Sequence, residues 1–192
     1  HGNYAGSSKH GGFLALAGDD HAAKSSTTAH QSDHAFIHFG MPILNPATVQ
    51  DYIDFGLMGI AMSRYSGCWI GMKCITDTVE SAASVDIGLD RFKPVVPERS
   101  EDEVDLHLQW GYMPAMSESR LYKQRLPAAQ AFAKVNSIDK IIFQGHKKLA
   151  IVTSGKAYLD VRQSLDELGL NENLCSKIGI SLYKVGMVWP LE

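Results

Sequence analysis

Two adjacent carboxylates, Asp19 and Asp20, follow directly on a short apolar run, Phe13 to Ala17. The run is too short for a lone helix and ends abruptly in polar residues, as a buried strand does. Ligands of open α/β sheets bind just beyond the carboxyl ends of strands. The pair could therefore serve acid–base chemistry or hold magnesium, with Ser25 and Ser26 as further oxygens. A turn in which the Asp side chains accept from backbone N–H groups explains the same residues equally well.

Histidines recur in the segment that follows. His30, His34 and His38 stand at i, i+4 and i+8, with His21 and Asp33 close in sequence. On one helical face, two such histidines and a carboxylate could bind a transition metal. The sequence has neither His-Glu-x-x-His nor paired cysteines, so a polar, half-exposed helix explains the spacing better than a metal site.

A third segment, Thr153 to Lys156, places glycine and lysine after an apolar run, as a phosphate loop does. The pattern Gly-x-x-x-x-Gly-Lys-Ser/Thr is not met, because Ala150 stands at the first glycine position and Ala157 follows the lysine. A tight strand-to-helix turn that requires Gly155 is the better interpretation.

The elements that must position these residues alternate along the chain. Strands are predicted at Phe13–Ala17, Pro42–Leu44 and Trp69–Ile75, and helices at about 31–39 and from Asn45-Pro46 to Tyr65, with Asn45 as N-cap and Gly67 at the C-terminal end. After a helix at 128–136, further strands are predicted at 141–143, 149–153 and 180–185, with a helix at 156–168 between the last two. The expected fold is therefore α/β, with a mostly parallel sheet and flanking helices.

The segment from Asp90 to about Arg125 has a different character. It contains Pro94, Pro97 and Pro114 and an acidic run, and no helical or strand period is sustained. We expect a linker with at most short helical pieces.

Composition limits the possible classes of protein. Of the 192 residues 45% are apolar, the net charge is −3, and the basic residues are scattered. No run approaches the ~20 apolar residues that cross a bilayer, so we expect a soluble protein without nucleic-acid or membrane partners. Three cysteines without a Cys-x-x-Cys pair argue against an iron–sulfur cluster or structural zinc here and suit a cytoplasmic location. A start at His1 without methionine indicates an internal fragment.

Several long runs of the sequence resemble the long-chain, fused form of indolepyruvate ferredoxin oxidoreductase, and together they cover nearly the whole chain. The first is Gly-Gly-Phe-Leu-Ala-Leu-Ala-Gly-Asp-Asp-His at 11–21, followed by Lys-Ser-Ser-Thr-Thr-Ala-His-Gln-Ser at 24–32. Others are Pro-Ile-Leu-Asn-Pro-Ala at 42–47, Ser-Arg-Tyr-Ser-Gly-Cys-Trp-Ile-Gly at 63–71, and the runs 126–133, 151–163 and 182–192. They are longer and more specific than any short motif above.

The resemblance implies a thiamine-diphosphate enzyme that oxidatively decarboxylates indolepyruvate or another aryl 2-oxo acid. Such an enzyme forms the acyl-CoA and passes electrons through iron–sulfur clusters to ferredoxin. Residues 1–90 would be the later part of a pyrimidine-binding-like domain, 91–148 a linker, and 149–192 the start of a transketolase C-terminal-like domain. The glutamate for the aminopyrimidine, the groups for the diphosphate and magnesium, and the cluster cysteines would lie elsewhere in the parent, so the fragment alone should be inactive.

Strand-end position and this resemblance together suggest a cofactor or substrate pocket, without assigning a catalytic proton transfer to any residue. The candidate lining residues are His1, His10, Asp19, Asp20, His21, Ser25 and Ser26.

Two other functions remain open: a non-catalytic assembly or binding module of a large multidomain chain, and a His/Asp metal-dependent hydrolase. If the chain belongs to the family that it resembles, a homo-oligomer is expected. The subunits would pair through the 47–66 helix, where Gly56 and Gly59 would allow close approach. The expected contact residues are Leu57, Met58 and Met62.

Overall fold

The computed structural model describes residues 1–88, 90–99, 104–109, 114–146 and 148–192. Its strands are β1 (Leu14–Asp19), β2 (Ile43–Leu44), β3 (Ile70–Ile75), β4 (Lys140–Phe143), β5 (Leu149–Ser154), β6 (Ile180–Val185) and β7 (Met187–Trp189). Its helices are α1 (Gly2–Ala5), α2 (Asp33–His38), α3 (Val49–Ser66), α4 (Thr76–Val79), α5 (Pro114–Arg120), α6 (Leu126–Val135), α7 (Gly155–Glu167) and α8 (Glu172–Ile178).

The first sheet has the strand order β1-β3-β2-β7. Strand β3 runs parallel to both β1 and β2, which confirms the parallel arrangement expected for the first three strands. The added strand β7 runs antiparallel to β2. Because β1, β3 and β2 are parallel, their carboxyl ends meet at one edge of the sheet, where Asp19 and Thr76 lie.

The second sheet has the order β4-β6-β5 and is also mixed. Strands β5 and β6 are parallel and are connected through α7 and α8, while β4 pairs antiparallel with β6. The α/β class is therefore confirmed, with two mixed sheets in which three of the five strand pairings in the described part of the chain are parallel. Leu165, Cys175 and Leu182 form a small buried core between this sheet and its helices.

Helix α3 begins three residues later than expected. Thr48, not Asn45, is its N-cap: the Thr48 hydroxyl accepts from the Asp51 N–H, and the Asp51 carboxylate accepts from the Thr48 N–H. Asn45 continues the sheet edge instead, because its N–H donates to the carbonyl of Gly186 at 2.8 Å. The helix ends at Gly67 as predicted, with φ of 74°, and a side chain there would collide with the carbonyl of Leu106.

The segment predicted as a linker with short helical pieces contains a longer helical stretch. From Pro114 to Val135 the backbone is helical throughout, with a π-helical turn at Leu121–Arg125 between α5 and α6. The helix predicted at 128–136 is the last part of this stretch, and Pro127 follows the wider turn within continuous helical backbone. Helix α6 packs on α3, and Phe132 is fully buried in the main core.

Helix α2 is shorter than predicted and starts at Asp33. His30 therefore lies before the helix, where it forms an isolated antiparallel bridge with Asp20. Because this bridge keeps His30 outside the helix, His30, His34 and His38 do not share one helical face. Within the described ranges, no helix combines the length and apolar character that a membrane span needs.

Candidate functional site at the strand ends

Asp19, the last residue of β1, is the buried centre of the strand-end cluster, with 1% of its surface exposed. The Ser32 hydroxyl donates to its Oδ1 at 2.6 Å, and the Ser32 N–H donates to Oδ2 at 3.2 Å. His21 Nε2 lies 3.9 Å from the same Oδ2. The carboxylate is thus held by the residue before α2 and approached by an imidazole from the following loop.

Lys73 brings a buried positive charge to the cluster from the neighbouring strand β3. Its ammonium lies 2.7 Å from Asp33 Oδ2 and 4.0 Å from Asp19 Oδ2, and the residue is 5% exposed. A buried ammonium needs a compensating charge, which these two carboxylates provide. Sequence reasoning missed Lys73, although a single charged residue inside an apolar strand is the signal that could have found it.

Asp20 has a different role from Asp19, because its carboxylate closes the turn that follows β1. Its Oδ1 accepts from the Lys24 N–H at 2.9 Å and its Oδ2 from the Ser25 N–H at 2.7 Å. The Ser25 N–H bond, followed by the Lys24 N–H and the hydroxyls of Ser25 and Ser26, lowers the pKa of Asp20 to about 2. The turn interpretation of Asp20 and Ser25 is the one that these contacts support.

Two further groups border this turn. The Gly18 carbonyl lies 2.9 Å from His30 Nε2, and this contact, with the Thr28 carbonyl, raises the pKa of His30. Lys24 pairs with Asp77 at the end of β3, and this bond lowers the pKa of Asp77. The loop from 20 to 32 is therefore fastened to both parallel strands.

The structure brings together only some of the residues predicted to line a pocket. Asp19, Asp20, His21, Ser25 and Ser26 lie at the carboxyl edge of the first sheet. His1 precedes α1, which packs beside Trp69 at the amino end of β3. His10 belongs to the loop before β1 and is exposed there. Both histidines are therefore at the opposite edge of the sheet, because Trp69 and this loop come before the strands begin.

An open depression of about 260 Å³ adjoins the cluster and is lined by His21, Ala29, His30 and Gln31. The side chain of His21 is 42% exposed, whereas that of Asp19 is fully buried. His21 is thus the member of the cluster that a molecule in the depression can contact. Asp19 lies behind the ring, with its Oδ2 3.9 Å from His21 Nε2.

Asp19, His21 and Asp33 also place three potential metal-ligand atoms within 4.8 Å of one another. This grouping differs from the predicted one, since it uses none of His30, His34 and His38. The Lys73 ammonium already pairs with Asp33 and lies near Asp19, and a metal cation would meet its repulsion. The cluster is therefore better described as a polar group built around Lys73 than as a metal centre.

The same contacts bear on thiamine diphosphate and its magnesium. Asp19 and Asp33 are paired with Lys73, and Asp20 is occupied by the turn, so these carboxylates do not offer a set of free oxygens for a magnesium ion. Asn45 Oδ1, at the end of β2, is a buried acceptor without a partner within the described part of the chain. One amide oxygen suits a single donor and does not make a diphosphate site.

These features define an α/β protein with two mixed sheets and a polar cluster at the parallel strand ends. Residues 138–192 match the family model described as the indolepyruvate ferredoxin oxidoreductase middle domain. Over these residues the match confirms the resemblance seen in the sequence, and it points to an oxidoreductase as the parent of this segment. The matched region contains β4 to β7 with α7 and α8. A search of curated proteins found no match to the chain.

Proposed function

We propose that the chain is part of an enzyme that oxidatively decarboxylates indolepyruvate or another aryl 2-oxo acid to the acyl-CoA. In this proposal the parent uses thiamine diphosphate with magnesium and passes the electrons through iron–sulfur clusters to ferredoxin. The match of residues 138–192 to the middle-domain model is the observation that carries it. The polar cluster at the parallel strand ends supports it as well, because ligands of such sheets bind at that edge.

The cofactor sites are proposed to be completed by other parts of the parent. Burial raises the pKa of the Cys68 thiol to about 12, and Cys175 is also fully buried. A protonated thiol such as that of Cys68 is a poor cluster ligand, since iron–sulfur clusters are held by thiolates. The proposal puts the cysteines that would ligate the clusters outside this segment, together with the groups for the diphosphate and magnesium.

The proposed domain organisation keeps the three parts given by the sequence: 1–90 as the later part of a pyrimidine-binding-like domain, 91–148 as a linker, and 149–192 as the start of a transketolase C-terminal-like domain. Strand β4, at 140–143, pairs with β6 and so ties the end of the linker to the third part. Limited proteolysis of the chain would test the division, which places the accessible cleavage sites between 90 and 114.

Self-association and a cytoplasmic location belong to the same proposal. The pairing surface needs revision, because Met62 is fully buried in the core and Gly59 faces Leu14 and Leu44 of the first sheet. Only Leu57, 45% exposed, keeps substantial solvent access among the three predicted contacts. Light scattering across a range of protein concentrations would test for a dimer.

The direct test is reduction of a viologen dye by the full-length parent enzyme with indolepyruvate, thiamine diphosphate and CoA. Dye reduction that requires all three additions is the expected result. We expect His21→Gln to lower kcat/KM by about tenfold or more, since His21 is the member of the cluster that a molecule in the depression can contact. His34→Gln, an exposed histidine on α2, serves as the matched control. If the parent reduced the dye with neither indolepyruvate nor any other aryl 2-oxo acid as substrate, the proposal would be contradicted.

A further inference from the structure

A second cavity, of about 750 Å³, lies on the outer face of α3, away from the strand-end cluster. One wall is a stripe of α3 at helical spacing: Leu57, Ile60, Ala61 and Arg64. This volume falls within the range of small-molecule pockets.

The opposite wall is a strap, defined here as residues 86–88 and 90–99, which crosses the helix. The strap turns apolar side chains to the cavity, among them Phe92, Pro94 and Val96. Val96 remains 63% exposed and Leu57 45% exposed, although both line the same cavity. The strap and the helix therefore face each other with apolar surface that remains exposed to solvent, because they do not pack closely against each other.

Polar contacts at the two sides of the cavity, rather than packing inside it, hold the strap in place. Arg91 binds Asp54 of α3 through two hydrogen bonds of 2.7 and 2.9 Å. The Val95 N–H donates to Asn136 Oδ1, and Asn136 Nδ2 donates to the Val95 carbonyl, both at 2.8 Å. Bidentate contacts of this kind fix the distance between the strap and α3. They therefore keep the cavity between the strap and the helix open.

The described residues that line the cavity carry charge of one sign. Lys9, His10 and Arg64 lie at the end near the loop before β1, and no acidic residue is among the described residues that line the space. Arg64 Nε donates to the Gly11 carbonyl at 3.1 Å, which holds its guanidinium beside that loop. His107, another lining residue, is bound by Asp105 through Nδ1 and contacts the Arg64 carbonyl through Nε2. An anionic group is the complement of this end, and an apolar body is the complement of the rest.

We propose that this cavity binds a small amphipathic carboxylate, with its apolar body between the strap and α3 and its carboxylate at Lys9, His10 and Arg64. The site is separate from the strand-end cluster. Phe13, just before β1, donates its N–H to the hydroxyl of Ser63 near the end of α3, so the cationic end lies at the amino edge of the sheet. The proposal is independent of the reaction assigned to the parent.

Octanoate is the probe, with 1-octanol and octylammonium as ligands of the same chain length but different charge. The 21.0 kDa chain is suited to amide chemical-shift mapping by NMR. Octanoate is expected to shift the amides of Leu57, Ile60, Ala61 and Val96 saturably, with a Kd of about 1 mM or tighter. The alcohol and the ammonium are expected to bind about tenfold more weakly or not at all.

Leu57→Asp places a carboxylate in the cavity and should weaken octanoate binding about tenfold or more. Leu16→Asp makes the same change at an exposed leucine of β1 outside the cavity and should leave binding unchanged. If Leu57→Asp loses the dispersed amide spectrum of the folded chain, Lys9→Glu replaces it, because Lys9 is exposed on the loop.

Three results would overturn the proposal. The first is octanol binding as tightly as octanoate, and the second is octanoate shifting amides elsewhere or none at up to about 5 mM. The third is a change of the same amides with rising protein concentration in the absence of octanoate, which would assign the face to a second copy of the chain.

Discussion

Lys184 Nζ lies 2.6 Å from Asp51 Oδ2, and this buried ion pair joins β6 of the second sheet to α3 beside the first. The same Asp51 carboxylate caps α3 by accepting from the N–H groups of Ala47 and Thr48. The Lys184 ammonium also lies 5.0 Å from the centre of the Tyr158 ring on α7. One carboxylate therefore fixes a helix terminus and couples the two sheets.

Lys184→Met should strongly destabilise the chain, because it leaves the Asp51 carboxylate buried and without its counter-charge. Removing one partner of a buried pair costs roughly 3–5 kcal/mol. Lys156→Met is the control: Lys156 pairs with Asp160 on α7, but both side chains are about half exposed. We expect it to change stability by about 0.5 kcal/mol or less. Urea unfolding of the two variants would contradict this account if they lost similar stability.

Arg125 is expected to be intolerant even of lysine. It is 1% exposed, and its guanidinium donates to five backbone carbonyls: those of Asn3, Tyr4, Ala5, Leu106 and His107. Lysine keeps the charge but lacks the planar fork that reaches these oxygens. We expect Arg125→Lys to cost at least about 2 kcal/mol, since several buried carbonyls lose their donor.

Arg91→Lys is the matched control for this change. Arg91 binds Asp54 at a partly exposed site, so the loss there should stay below about 1 kcal/mol. Thermal unfolding followed by circular dichroism measures both variants. Equal melting temperatures for the two would show that the Arg125 contacts contribute little.

The free energy of unfolding should depend on pH through the ionisation of Asp20. Its pKa is lowered from 3.8 to about 2 in the folded chain, because the turn's N–H groups favour the charged carboxylate. A lowered folded pKa stabilises the fold above the unfolded pKa, and the contribution disappears as the pH falls from near 4 through about 2. Asp20→Asn should therefore be less stable than the natural chain at pH 7, and the gap should close on acidification.

Asp166→Asn, at an exposed residue of α7, serves as the control for this effect. Urea unfolding at a series of pH values between 2 and 7 would measure the gap for each variant. A gap for Asp20→Asn that stayed constant over this range would mean that the turn contacts do not depend on the carboxylate charge.

The sequence predicted the features that depend on neighbouring residues alone. The short apolar runs became β1, β2 and β3, and Gly67 ends α3 because a left-handed residue is needed there. The helix start was misplaced because Asn45 and Thr48 are both good caps, and a contact with distant Gly186 decides between them. The two residues of this contact are 141 positions apart in the sequence, so the contact leaves no periodic signal.

The first part of the helical stretch, residues 114–127, was missed for a similar reason, whereas the helix predicted at 128–136 corresponds to most of α6. The regularity of the stretch depends on burial of Leu121, Leu126 and Phe132 and on the carbonyls that Arg125 binds, which belong to distant segments. At the strand ends, the sequence placed Asp19 and His21 correctly at the edge of the sheet. It could not show that Lys73 pairs with Asp33 and lies near Asp19, because charge pairing across strands depends on register.

This charge pairing leads to a prediction about thiamine diphosphate. The carboxylates at the strand ends are already satisfied, Asp33 and Asp19 by Lys73 and Asp20 by the N–H groups of its turn. Binding a magnesium-bound diphosphate there would require breaking these contacts first, and that cost is subtracted from the affinity. We expect the 192-residue chain to bind thiamine diphosphate with magnesium at a Kd of about 1 mM or weaker.

Isothermal titration calorimetry of the chain, compared with the full-length parent under the same conditions, measures this difference. The parent should bind the cofactor far more tightly, because it adds the groups proposed for the diphosphate and the aminopyrimidine. Lys73→Met would free Asp19 and Asp33 for a cation, so the variant offers a further check: it should take up magnesium more readily than the natural chain if the ammonium is what excludes it. Low-micromolar binding of the cofactor to the natural chain would instead place a complete site within these residues.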